Sequence, residues 1–319
     1  MSRYLVRRVL LAIPTLLLIS FVLYAIISLA PGDPLSQFAA NPAVPPEVRE
    51  NIRRALGLDQ PWPVRYVKWL FALSHGDWGF SFASRIPVWD LIKLRIPATL
   101  AVVGVAYIVS LIIAVPIGIL SAVRQYSIFD HVATTFAFMG FSVPTFFTGL
   151  LFIIILSVKL QWLPFIYDST LQVNSLATLG AEIKQAIMPI AVLALFQTAT
   201  LVRYTRASML ENLPQDYVRT ARAKGLAETS VINRHVVRNS LIPVVTLIAL
   251  TAPTIFSGAL ITEQIFRVPG IGSLLITSIE NNDIPVTVAI TFTFSVLVVL
   301  FNLIADVTYG FLDPRIRYD

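Results

Sequence analysis

The side chains able to do covalent chemistry are few and scattered. Three histidines, His75, His131 and His235, stand far apart and lack the short spacing with which a helix or loop presents metal ligands. The chain has no cysteine, which excludes a disulfide framework, a Cys-ligated zinc and a thiol nucleophile. A chain that bound ATP itself would carry G-x-x-x-x-G-K-[ST], and no such run occurs. Gly270-Ile271-Gly272 begins like a dinucleotide loop, but it lacks the third glycine and follows a loop instead of a strand. Glu263 and Asp306, at the edges of long apolar runs, are the acids that an ion- or proton-coupled carrier would use. A hydrolase would need a nucleophile and base on facing helices, which these histidines do not supply. No catalytic residue, metal site or cofactor site is therefore expected in this chain.

The elements around these residues are membrane helices. Hydrophobic residues make up 56% of the 319 and charged ones 13%, against about 25% charged in a soluble domain. The apolar residues come in blocks of the roughly 20 needed to cross the hydrocarbon core: 9–30, 98–122, 132–158, 187–210, 241–262 and 284–311. The first is too long for the apolar region of a secretory signal and reads as a retained helix after a basic segment, 1–8. The fourth is interrupted by Arg203 and Arg206, so its end is expected to project from the membrane. In the second block Ala106, Ser110, Ala114, Gly118 and Ala122 recur every four residues, a stripe that lets helices approach closely. The fold expected is an all-α membrane protein with six transmembrane helices. Residues 31–97 form an outer region with short helices at Pro46 to Leu56 and Val64 to Leu73, a small helical cap.

Basic residues decide orientation. Arg3, Arg7 and Arg8 precede the first block, and Arg203, Arg206, Arg219, Arg222, Lys224, Arg234 and Arg238 cluster around the connection 211–240, whereas 159–186 balances Lys159 and Lys184 against Asp168 and Glu182. Both termini and 211–240 are thus expected in the cytoplasm, with 31–97, 159–186 and 263–283 outside. All five tryptophans, Trp62, Trp69, Trp78, Trp89 and Trp162, fall in those outer segments, either at the membrane interface or in a small aromatic core. The formal net charge of +6 follows from this topology, so nucleic acid is not expected as a partner.

The polar connection carries Tyr217, Arg219, Thr220, Ala221, Arg222, Ala223, Lys224, Gly225 and Leu226, a helix-compatible run stopped by a glycine suited to a left-handed turn. Locally it reads either as a solvated charged loop or as a short helix gripped by a partner, with Ala221 and Ala223 permitting close approach and Arg219, Arg222 and Lys224 meeting an acidic rim. Gln197, Thr200, Ser257 and Asn302 are polar residues on apolar helices, suited to line a solute path or to bond between helices.

In order along the chain stand Ala30-Pro31-Gly32-Asp33-Pro34, Leu56-Gly57-Leu58-Asp59-Gln60-Pro61, Pro97-Ala98-Thr99-Leu100, Ser142-Val143-Pro144-Thr145-Phe146, Glu263-Gln264-Ile265-Phe266-Arg267-Val268-Pro269-Gly270-Ile271-Gly272 and Leu312-Asp313-Pro314-Arg315. This ordered set resembles the dipeptide and oligopeptide permease subunits of ABC importers. The resemblance implies a type I importer permease with its transmembrane domain over 98–311. It also implies a second permease, two cytoplasmic ATPases that bind ATP and Mg, and an extracytoplasmic binding protein, all at a cell inner membrane. In that family Glu-Ala-Ala-x-x-x-Gly docks into the ATPase. Here it reads Arg219-Thr220-Ala221-Arg222-Ala223-Lys224-Gly225, departing at Arg219 and matching at Ala221 and Gly225. Relatives that look like this carry dipeptides, longer peptides, glutathione or nickel complexes. A secondary transporter is the alternative.

Overall fold

The computed structural model describes residues 2–29, 45–55, 57–171, 173–253 and 259–312. Among them the regular structure is helical, apart from one isolated bridge between Phe80 and Pro87. Helix α1 spans Ser2–Leu29. Two short helices follow, α2 (Pro46–Ala55) and α3 (Trp62–Ser74), each with proline in its first turn, where the missing N–H costs nothing. Then come α4 (Val88–Val123), the pair α5 (Ile128–Ser142) and α6 (Thr145–Lys159), and α7 (Leu176–Asn212), which opens on a reciprocal Ser175/Thr178 cap. The C-terminal part comprises α8 (Asp216–Ala223), α9 (228–251), α10 (Leu260–Phe266), α11 (Ile271–Glu280) and α12 (Ile284–Leu312).

Four of these helices contain a stretch long and apolar enough to cross a membrane: Val6–Leu29, Val88–Val123, Leu176–Asn212 and Ile284–Asp306. The bent pair α5 and α6 makes a fifth if it serves as one span. Several expected boundaries shift. The second and fourth helices begin earlier, at Val88 and Leu176, and the latter is 37 residues long, or about 55 Å at 1.5 Å per residue. It thus outreaches a hydrocarbon core of about 30 Å. The block 132–158 is two helices meeting at 99°. The cause is Pro144: the residue before a proline is pushed from the helical region, and Val143 is extended at φ −91°, ψ 125°. The block 241–262 is divided as well. Its helix begins at 228, includes a π-helical turn over Val231–Val237, and ends at Thr251, while Leu260–Phe266 is a separate short helix stopped by Arg267 at φ 54°. Motif residues 30–34, Leu56 and 313–315, and the path candidate Ser257, lie outside the described residues.

The small-residue stripe of α4 packs on α7. Ala106, Ser110, Ala114, Gly118 and Ala122 are all buried, and a Cβ built on Gly118 would come within 2.6 Å of Thr205 Cβ and 3.0 Å of the Val202 carbonyl. A backbone neighbour cannot give way as a flexible side chain can. Gly118→Val is therefore expected to destabilise the chain by about 1–3 kcal/mol, the usual range for overpacking, read as a lower unfolding temperature in detergent. An unchanged temperature would show that α4 and α7 are not this close.

Polar clamps fix the segment between α3 and α4. Buried Asp283, at the start of α12, accepts from Ser81 Oγ at 2.5 Å and from the Phe82 and Ala83 amides at 3.0 and 3.2 Å. This pins the turn 81–86 over a core of Val88, Ile92, Ile271, Leu275, Val286, Ala289 and Ile290. Helix α3 turns Trp62, Tyr66 and Trp69 inward onto Tyr24 of α1 and Val288 of α12, so two of the five tryptophans join an aromatic cluster, while Trp162 is 62% exposed. Trp78 and Trp89 stack separately, at 5.2 Å between centroids.

Candidate coupling helix and transport cleft

The polar connection is a defined helix and not a loose loop. Helix α8 ends in the hydrogen-bond pattern that a left-handed glycine permits: Gly225 has φ +74°, its N–H donates to Arg222 O at 3.0 Å, and the Leu226 N–H donates to Ala221 O at 3.4 Å. The underside of α8 is apolar. Val218 and Ala221 are buried with Ala122 of α4, Met209 of α7, and Val231 and Val236 of α9. The helix is therefore seated on both of its flanking helices and on the end of α4.

This seating sorts the candidate residues. Tyr217, Arg219, Thr220, Arg222, Ala223, Lys224, Gly225 and Leu226 form the exposed side. Ala221 is turned inward, because a helix of this length has one apolar stripe and Val218 and Ala221 share it. Its small size serves packing within the chain. Arg222 bridges to Glu228 at the start of α9 through two hydrogen bonds, at 3.1 and 2.6 Å, which holds the Glu228 carboxyl below its ordinary range. Tyr217 donates to Asn212 Oδ1 at 2.7 Å. Arg219, which pairs with exposed Asp216 at 3.5 Å, and Ala223, Lys224 and Leu226 make up the rest of the outward face.

A cleft of about 310 Å³ lies between α4, α7 and the segment 259–262, lined by Tyr107, Thr145, Phe196, Gln197, Leu260 and Thr262 among others. Of the four residues expected along a solute path, it contains Gln197. Thr200 bonds back to Phe196 O at 3.5 Å. Asn302 lines a different groove, between α1 and α12, beside the Arg8–Asp306 pair at 3.2 Å. Among the described members of that set, Gln197 lines the cleft and Asn302 lines the other groove. Tyr107 was missed by the sequence reading: its hydroxyl donates to Ile248 O at 2.8 Å and meets Thr251 Oγ1 at 2.7 Å, tying α4 to the end of α9. Its adjacency to Ala106 in the small-residue stripe was the available signal.

The wall of the cleft is held by a carboxylate next to Thr262. Glu263, placed by the sequence at the edge of an apolar run, is fully buried. It accepts from Thr99 Oγ1 at 3.1 Å and from the Ser273 amide at 2.9 Å, while the Ile271 amide donates to Thr99 Oγ1 at 2.8 Å. An acid at the start of α11 meets free N–H groups and the positive end of the helix dipole. Two motifs far apart in sequence, Pro97-Ala98-Thr99-Leu100 and Glu263 to Gly272, are thereby one structural unit.

The family model described as binding-protein-dependent transport system inner membrane component matches residues 114–318, and its N-terminal companion matches residues 1–103. The chain is 42% identical over 319 residues to the oligopeptide transport system permease protein AppB of Bacillus subtilis, covering all of both chains. It is 37% identical over 337 residues to the dipeptide transport system permease protein DppB of Escherichia coli K12, covering 100% of this chain and 99% of that one. A putative peptide transport system permease protein of Brucella abortus is 37% identical over the full length of both.

Proposed function

The chain belongs to the binding-protein-dependent transport system inner membrane components, and from that membership we propose that it is one permease subunit of an ABC importer that carries peptides into the cytoplasm. The observation that carries the peptide reading is full-length similarity to permeases named for oligopeptide and dipeptide transport. Six crossings with cytoplasmic termini, a homologous second permease, two ATPases that bind ATP and Mg, and an extracytoplasmic binding protein complete the proposed assembly. Which peptides are taken is decided by the binding protein.

Alternating access needs nucleotide-driven motion in the ATPases to reach the membrane helices, and a short helix seated on its neighbours transmits motion that a flexible loop would absorb. Helix α8 supports this role because its buried stripe rests on α4, α7 and α9 while Arg219, Ala223, Lys224 and Leu226 remain outward. Gln197, Tyr107 and Thr262 are proposed to face the solute. The test compares Ala223→Arg with the native chain in the reconstituted complex. Uptake is expected to be lost while the chain still inserts and pairs with the second permease. Normal uptake at normal expression would remove the coupling role.

A further inference from the structure

Helix α3 stands in the segment expected above to form a small helical cap, yet it packs on α1 and α12, two helices long and apolar enough to cross a membrane. Its inward side chains reach well down the first membrane helix. Tyr66 Oη lies 3.0 Å from Ser20 Oγ and donates to Leu17 O at 3.3 Å. Leu17 sits about 18 Å along α1 from Leu29. Trp62 and Trp69 pack on Phe21 and Tyr24, each at 5.6 Å, and Trp69 also meets Phe292 edge-on at 5.6 Å, about 12 Å into α12. Against about 15 Å of hydrocarbon per leaflet, these levels run from the C-terminal end of α1 down to about the midplane.

The opposite side of α3 is also apolar. Val64, Val67 and Phe71, at helical spacing, are 45%, 63% and 68% exposed, with Lys68 among them. Apart from its two cations, Arg65 and Lys68, the helix thus presents apolar side chains on two sides, a pattern suited to the boundary between headgroups and acyl chains and not to open water. Its outward residues continue the exposed apolar surface of α1, where Leu18, Val22, Ile26 and Leu29 face out. A lysine on such a face can extend its stem along the acyl region and place its ammonium among phosphates.

We infer that α3 is embedded in that leaflet, the outer one under the proposed topology, with Val64, Val67 and Phe71 against acyl chains and Lys68 at the phosphate level. The test places single cysteines at Val67, Phe71 and, as an aqueous reference, Ser84, each carrying a nitroxide. The full complex is reconstituted in phosphatidylethanolamine/phosphatidylglycerol vesicles, and the signal of the cysteine-free chain in the same complex is subtracted. Collision with oxygen relative to a water-soluble nickel chelate is expected to be severalfold higher at Val67 and Phe71 than at Ser84. Chelate access at all three sites would make α3 a cap in water. Exclusion of both reagents at Val67 and Phe71 would mean that a protein partner covers the face. Either result overturns the inference and leaves the importer reading untouched.

Discussion

Gly270→Ala is expected to be among the most damaging single-methyl changes in this protein. A Cβ at that position would stand 2.4 Å from the Glu263 carboxyl carbon and from both of its oxygens. A flexible exposed side chain would swing aside, but this one is fully buried and bonded to Thr99 and the Ser273 amide. Moving it adds lost hydrogen bonds, about 1–3 kcal/mol for buried partners left unpaired, to an overpacking cost of about 1–3 kcal/mol. The sum, about 2–6 kcal/mol, should lower the unfolding temperature of the purified complex by roughly 5–10 °C. The mechanism has its own signature in a double-mutant cycle. Glu263→Ala removes the group that the new methyl strikes, so Gly270→Ala should cost much less in that background. Equal costs in both backgrounds would show that the clash with Glu263 is not the cause.

Asp130→Ala should rank beside it. Asp130 is buried and takes a bidentate pair from Arg206, at 2.6 and 2.7 Å, together with the Tyr126 amide at 2.9 Å, Thr134 Oγ1 at 3.2 Å and the Ser121 hydroxyl. Those partners come from α4, α5, α7 and the turn between α4 and α5, so one carboxylate joins three helices. Breaking a buried pair strands the remaining charge at about 3–5 kcal/mol. The Arg206 side chain keeps 23% of its exposure, and the water it reaches offsets part of that. A loss near the lower end is expected, measured as reduced thermal stability. Replacing both members with apolar residues, Asp130→Leu with Arg206→Met, should recover much of it. A double variant as damaged as Asp130→Ala alone would contradict this account.

What was legible in the sequence and what was not divide along one physical line. Local signals held: Gly225 ended α8 because its left-handed φ is a property of the glycine itself. The four-residue stripe of α4 was a packing face, since i and i+4 side chains share one side of a helix. Boundaries were lost where a helix runs beyond its apolar core, as at Val88, because Lys93 and Arg95 dilute the signal over the first turns. The bend before Pro144 had a local cause, although the apolar run conceals it. Long-range partners had no local trace. Glu263 and Thr99 are 164 residues apart, and neither residue indicates alone that the other completes its hydrogen bonds. The burial of Ala221 had no local trace for a related reason, since the inward face of an amphiphilic helix depends on what lies beneath it.

The most direct measurement is peptide uptake by proteoliposomes that contain this chain with its second permease and both ATPases, with the binding protein supplied outside. Accumulation should require ATP in the lumen, which corresponds to the cytoplasm, and binding protein on the outside, and should be unaffected when ionophores collapse the ion and proton gradients. Uptake that proceeds without ATP or the ATPases, and disappears with the gradients, would make the chain a secondary transporter and contradict the account.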